Sequence, residues 1–286
     1  MNQLIDSLVS VDPDYVDLYH ERVGFGRVES RRSRLAVVST CRTAMPYLTK
    51  TMELVEQLST SWGRCEWYVY ENDSADETPQ VLDRFAATRP WITIEHETLQ
   101  VADERGFQHE RTDRLAAYRT RCQHWVRDRA LDFDYVIVLD TDPHGGFVVD
   151  GVLNSLGWML DLRGWQCRLR EPGAIASHSL LALHQGRRDG DDHFLIAAYD
   201  AWACRLNDWA DRRRHEWFHA LLPPIGSPPI PMNSAFGGLC LYRTAAFLDG
   251  VYKGGDCEHV HFHRTMQRAG WQLYLNPGSR YVAILP

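Results

Sequence analysis

Four short apolar runs, Leu35–Ser39, Cys65–Tyr70, Trp91–Glu95 and Tyr135–Leu139, alternate with stretches whose apolar residues recur at helical spacing. Leu48, Met52, Val55 and Leu58 mark the first helix, with Pro46 near its opening turn. Leu82 and Phe85 mark a second, opened by Glu77-Thr78-Pro79. Leu115, Tyr118, Cys122, Trp125 and Val126 trace the buried face of a third, from about Asp113 to Leu131. Parallel strands need a long crossover and a helix supplies it, so this alternation predicts an α/β fold built on a mainly parallel sheet.

Ligands of such sheets lie beyond the carboxyl ends of the strands. Three polar clusters fall there: Ser39-Thr40-Cys41-Arg42, Glu71-Asn72-Asp73 and Asp140-Thr141-Asp142. In the last, two carboxylates one residue apart point the same way if extended geometry persists. They repel unless something positive lies between them, and a hydrated divalent cation is the usual solution. Such a cation bridges carboxylates to a diphosphate, which points to nucleotide-sugar chemistry.

The flanks are less regular. Residues 1–33 read as an arm or short helix before the first strand. After residue 143 the expectation is short strands between Trp165 and Ala176 and a helix or helix pair from Asp192 to Trp209. A stiff loop follows over Pro223–Pro231, then a strand entered through Gly237-Gly238, a helix from Cys257 to Ala269, and a strand at Leu273–Leu275. The glycine pair lets backbone approach a ligand or a neighbouring strand. Gly24-Phe25-Gly26 lacks a third glycine and precedes the first strand, so it is not a dinucleotide fingerprint.

The net charge of −7 gives no general pull toward nucleic acid or anionic membrane. The seven cysteines are widely spread with no C-x-x-C pair, which argues against a zinc ribbon or disulfide framework and for a reducing, cytoplasmic setting. No signal peptide or membrane-spanning run is visible.

Six segments, in order, carry a family resemblance: Glu71–Thr78, Arg111–Arg119, Leu139–Asp142, Tyr199–Ala203, Phe236–Arg243 and Cys257–His263. The chain from Arg34 to Asp142 resembles the nucleotide-binding half of GT-A glycosyltransferases. The remainder is similar to the fungal capsule mannosyltransferase-like families. The resemblance implies a Rossmann-like, mainly parallel sheet with helices on both faces, and a smaller mixed acceptor-side half. Residues 1–33 would be the N-terminal arm, 34–142 the nucleotide-sugar half, and 143–286 the acceptor-binding and catalytic half of the same domain. It further implies Mn²⁺ or Mg²⁺ held by Asp-x-Asp at a nucleotide-diphosphate sugar.

Residue roles follow from both lines of reasoning. Asp142 is the favoured metal contact, with Asp140 reaching metal or ribose. Thr40 and Arg42 follow the first strand where a nucleotide passes. Asp73, and less so Glu71, suits base or ribose; the alternative for Asp73 is an Asx-turn. Gly238 is counted with the donor site. Arg111, Arg114 and Arg119 are phosphate candidates. Five positions carry a side chain well round a helix, so Arg114 is favoured over Arg119. Glu258 at a helix start suits a catalytic base or acceptor carboxylate. Asp200, with Trp202, suits the sugar acceptor. His259 and His263 share a helical face at i, i+4, and one of them would complete the metal shell.

The expected reaction is transfer of a hexose or related sugar to a hydroxyl of a glycan, glycolipid or protein. A hydroxymethylated DNA base is an alternative acceptor, given Arg187-Arg188 and Arg212–His215 near Trp209 and Trp217. A nucleotidyltransferase and a non-catalytic sugar-binding module are the alternatives of another class. A haloacid-dehalogenase-like phosphatase also places Asp-x-Asp after a strand, but His144 occupies the position where it needs a small residue.

Overall fold

The computed structural model describes residues 8–101, 108–141, 144–162, 170–188, 191–210 and 223–285. Strands β1 (Arg34–Cys41), β2 (Arg64–Asn72), β3 (Ile92–Glu97) and β4 (Tyr135–Leu139) run parallel in the spatial order β3-β2-β1-β4. Beyond β4 the sheet becomes mixed. Antiparallel β9 (Leu239–Arg243) comes next, followed by β6 (Glu171–Arg188), β10 (Trp271–Leu285) and β5 (His144–Phe147). β7 (Asp191–Ala198) pairs antiparallel with β6, and β8 (Ile230–Met232) with β10.

Alternation along the strands divides one continuous sheet between two cores. Ala36, Val38, Tyr68, Tyr70, Val136 and Val138 face one side; Leu35, Val37, Trp67, Val69, Ile137 and Leu139 face the other. Helix α4 (His109–Arg127) covers the first side through Ala116, Cys122 and Val126. It is joined there by α6 (Thr244–Asp249) and α7 (Glu258–Arg268). Helices α2 (Leu48–Ser59), α3 (Thr78–Ala86) and α5 (Val149–Asp161) cover the second through Leu48, Val55, Leu82, Val152 and Leu156. Strands buried on both faces read as unbroken apolar runs, which is why they were legible in the sequence.

Three elements depart from expectation. Residues 16–30 form a full 15-residue helix, α1 (Val16–Ser30), laid against α5. A β-carbon on Gly26 would stand 1.9 Å from the Leu153 carbonyl oxygen, and one on Gly157 would stand 2.0 Å from that of Arg22. These glycines therefore let two helix backbones touch. The helix expected from Asp192 begins instead as strand β7. Its run Phe194–Ala198 is apolar throughout and fits either period, and pairing with β6 decides the outcome. Phe194 and Ile196 pack toward Val282 while Leu195 is half exposed. The short strands expected from Trp165 become one 18-residue strand from Glu171. Residues 163–169 and 211–222, including the basic run Arg212–His215, lie outside the described residues.

The described cysteines are buried and form no disulfide among the described residues. Among the described residues, no helix is long and apolar enough to cross a membrane.

Candidate active site

A cavity of about 450 Å³ opens at the carboxyl ends of β1, β2 and β4. One wall is the segment Thr40–Thr43 with Asn72; another is the α4 face carrying Arg111, Arg114, Tyr118 and Arg119. Asp140 and Thr141 form the floor. Tyr199, Asp200, Trp202 and Phe236 stand opposite, beside Cys257, Glu258 and His259 at the start of α7. The α4 residues follow the 3.6-residue period, with Arg111, Leu115 and Arg119 each four apart. Because the cavity wraps round this helix, Arg114 and Arg119 both line it. Arg119 is engaged by two acids there, which leaves Arg114 as the phosphate candidate of the pair.

Asp140 is fixed at three points. Its backbone N–H donates to the Gly238 carbonyl at 2.8 Å, and its own carbonyl accepts from the Tyr281 hydroxyl at 3.0 Å. Its carboxylate accepts from Arg119 Nη2 at 3.2 Å. Gly238 has φ +76°, and a β-carbon there would stand 2.4 Å from the Tyr281 ring. Its close approach is thus to a neighbouring aromatic, and the ligand-contact expectation for Gly238 is corrected.

Arg119 lies buried between two acids. Its Nε donates to Glu258 Oε1 at 2.8 Å, and its guanidinium stands 4.9 Å from the centre of the Phe236 ring. Burial opposes its charge, but Asp140 and Glu258 outweigh that and hold it more firmly protonated than a free arginine. Glu258 is the first residue of α7, where the helix dipole favours an anion.

Asp200 adopts a left-handed backbone, φ +54°, and its Oδ2 accepts from the Gly237 N–H at 3.3 Å. Burial, reinforced by the charges of Asp140 and Glu258, pushes its carboxyl up to about 8. Arg205 anchors this segment. Fully buried, it donates from Nη1 to the Trp202 carbonyl and from Nη2 to both carboxylate oxygens of Asp256 at 3.1 Å. The loop bearing Asp200 is thereby tied to the start of α7. Neither Arg119 nor Arg205 was singled out for these roles in the sequence, although the i, i+4, i+8 stripe on α4 marks Arg119.

The two histidines separate. His259 is buried on the cavity wall, stacked on Phe236 with ring centres 3.8 Å apart; among the described residues neither ring nitrogen has a hydrogen-bond partner, and Nε2 lies 3.5 Å from Glu258 Oε1. Burial, with Arg119 and His263 nearby, holds it neutral well below the usual histidine range. His263 is one turn deeper. Its Nδ1 pairs with Ser234 Oγ at 2.9 Å and its Nε2 with the Tyr242 hydroxyl at 2.8 Å. With both nitrogens engaged in the core, His263 is corrected to a structural residue.

Of the remaining site residues, Thr40 and Arg42 line the cavity, and Arg42 Nη2 donates to the Val101 carbonyl at 2.7 Å. Asp73 does not. Its carboxylate accepts the backbone N–H groups of Leu99, Gln100 and Val101, an organiser of the adjoining loop rather than a base contact. Partial burial works against its ionisation, yet those donors hold its carboxyl below the ordinary range. Glu71 is buried behind the cavity, accepting from Ser74 N and paired with His96 at 2.7 Å, so its donor-contact role is corrected too. Asp142 lies outside the described residues.

The donor chemistry suits a divalent cation only in part. Three carboxyl groups on the cavity, those of Asp140, Asp200 and Glu258, lie close to the Arg119 guanidinium. The neutral imidazole of His259, on the same cavity, could supply a nitrogen ligand. Yet among the described residues no three His, Cys, Asp or Glu side chains converge as a complete shell.

No family model matches the chain, and no curated protein matches it. Solved structures do. GalNAc-T7, in a crystal structure with UDP, GalNAc and Mn²⁺, is 14% identical with a TM-score of 0.51 over 89% of this chain and 44% of its own. The mannosyltransferase PcManGT from Pyrobaculum calidifontis, in complex with GDP-Man and Mn²⁺, is 12% identical with a TM-score of 0.50 over 99% of this chain and 69% of its own. The chain therefore spans less than half the length of the first and about two thirds of the second. It shares their GT-A glycosyltransferase fold.

Proposed function

We propose that the chain is a metal-dependent glycosyltransferase, moving a hexose or related sugar from a nucleoside-diphosphate donor to a hydroxyl of a glycan, glycolipid or protein. One observation carries this reading. A single cavity at the carboxyl ends of the parallel strands is lined by Asp140, Arg111 and Arg114 together with Glu258, Asp200 and Trp202. The neighbours' bound UDP and GDP-Man support the donor class.

Arg111 and Arg114 present planar forks that match diphosphate oxygens. A divalent cation, when bound, neutralises charge on the departing diphosphate; Asp140 and His259 are the described side chains that would hold it. Asp142, two residues on from Asp140, completes that assignment from sequence. Opposite, the indole of Trp202 offers an apolar face for a sugar ring. Asp200, protonated at neutral pH, donates a hydrogen bond to the acceptor.

Glu258 takes the base role. The acceptor oxygen forms its bond to the anomeric carbon as the bond from that carbon to the β-phosphate oxygen breaks. The electron pair leaves with the nucleoside diphosphate, and the acceptor proton passes to Glu258. Attack opposite the leaving group inverts the anomeric centre.

A thermal-shift panel of UDP, GDP, TDP and CMP with and without Mn²⁺ tests the donor assignment. A nucleotide present at ~100 Kd adds about 2.7 kcal/mol to stability, a readily seen shift. Absence of any Mn²⁺-dependent shift overturns the proposal. Binding of a nucleotide sugar without turnover identifies a sugar-binding module instead.

A further inference from the structure

Asp140 immediately follows β4 on the cavity floor, and Glu258 begins α7 on the cavity wall. One guanidinium touches both, along the edge formed by Nε and Nη2. Two acceptors held on one rigid edge have a fixed separation and a fixed mutual angle, which no point charge on a flexible stem can impose. The Arg119 side chain is only 8% exposed and packs over Phe236, so little of it remains to receive a phosphate. In this it differs from a phosphate ligand. Without it, the Glu258 carboxylate would sit buried and uncompensated beside Asp140 and Asp200.

We propose that Arg119 is a positioning residue that sets the placement of Glu258 relative to Asp140, so that the base meets an acceptor hydroxyl beside a correctly seated donor. This rests on the glycosyl-transfer reading. It requires two-point contact rather than positive charge alone.

The test uses the full chain and two readouts. The first is calorimetric affinity for UDP and GDP with Mn²⁺. The second is release of those nucleotides from UDP-GlcNAc and GDP-mannose, with water as acceptor. Arg119→Lys keeps the charge and loses the fork. It is expected to bind nucleotide within about three-fold of the unaltered protein while kcat falls at least ~100-fold, the usual consequence of misplacing a reacting group by about 1 Å. Arg119→Ala is expected to recover about ten-fold or more of its lost kcat with guanidinium chloride far below denaturing concentrations, a response that a folding defect does not give.

Wild-type kcat in Arg119→Lys overturns the proposal. So does a loss of affinity equal to the loss of kcat, which would make Arg119 a donor ligand. If Arg119→Lys does not melt cooperatively, Glu258→Asp takes its place. The shorter acid withdraws from Arg119 while keeping its charge, and the same split is expected, with unchanged kcat again overturning the idea. If the unaltered protein binds neither nucleotide, or binds without releasing product, the functional reading fails and this inference falls with it. If it turns over and the variants match it, the inference alone fails.

Discussion

The hydroxyl of Tyr281 donates to the carbonyl of Asp140 at 3.0 Å, joining the last strand of the sheet to the floor of the cavity. The same ring packs against Gly238, whose carbonyl holds the Asp140 N–H. The backbone that presents the key carboxylate is thus gripped from both sides before any ligand arrives.

Tyr281→Phe removes only the hydroxyl. The ring stays in place, so the expected loss in stability is about 1 kcal/mol, the usual net worth of one hydrogen bond. Urea denaturation measures it. Mn²⁺-dependent nucleotide affinity should weaken in parallel, and an unchanged affinity would show that the grip does not matter for binding.

Gly238→Ala faces two penalties. The left-handed backbone costs a non-glycine residue roughly 1–2 kcal/mol, and its new methyl collides with Tyr281. Denaturant titration should show a loss above about 2 kcal/mol. A near-neutral result would mean that Tyr281 moves aside freely.

Glu258→Gln keeps the size and the hydrogen bond from Arg119 but cannot accept a proton. The expected drop in kcat is about 10²- to 10⁴-fold with nucleotide affinity retained. Steady-state kinetics beside calorimetry check the split. Comparable activity in the amide would remove Glu258 from the base role.

Asp142→Ala is expected to abolish Mn²⁺-stimulated turnover while leaving the circular dichroism spectrum and cooperative melting intact. Turnover that still responds to Mn²⁺ would refute its assignment as a metal contact.

Asp200 sets a pH dependence in the metal-free protein. Its carboxyl lies near 8 in the fold against about 3.9 in the unfolded chain, so the folded state binds the extra proton. Its contribution to stability is complete below about pH 4 and lost as pH rises through 8, with a slope of at most ~1.4 kcal/mol per pH unit. Asp200→Asn should flatten that slope in chelator-treated protein. A slope identical to that of the parent would place the titration elsewhere.

The parallel half of the sheet could be read from the sequence because β1, β2 and β4 are apolar on both faces and the helices between them keep one period. β7 could not, since Phe194–Ala198 is apolar at every position and only its partner strand selects the extended form. The site divides in the same way. Strand-end positions such as Thr40 and Asp140 follow from the fold class alone. Arg119 and Glu258 are 139 residues apart, and nothing local announces their contact. Only one of His259 and His263 reaches the cavity, for a geometric reason. An i, i+4 pair shares a face, but α7 runs away from the cavity, so its first turn reaches the cavity and its second meets Tyr242 and Ser234.

On the proposed glycosyl-transfer reading, Arg205 has a consequence for how an acceptor would be selected. Since its guanidinium rivets the Asp200–Trp202 stretch to the segment leading into Glu258, the two stretches are held together. Loosening that rivet, as in Asp256→Ala, should blur which hydroxyl is presented before it weakens binding. Regioselectivity would then be the first property to degrade.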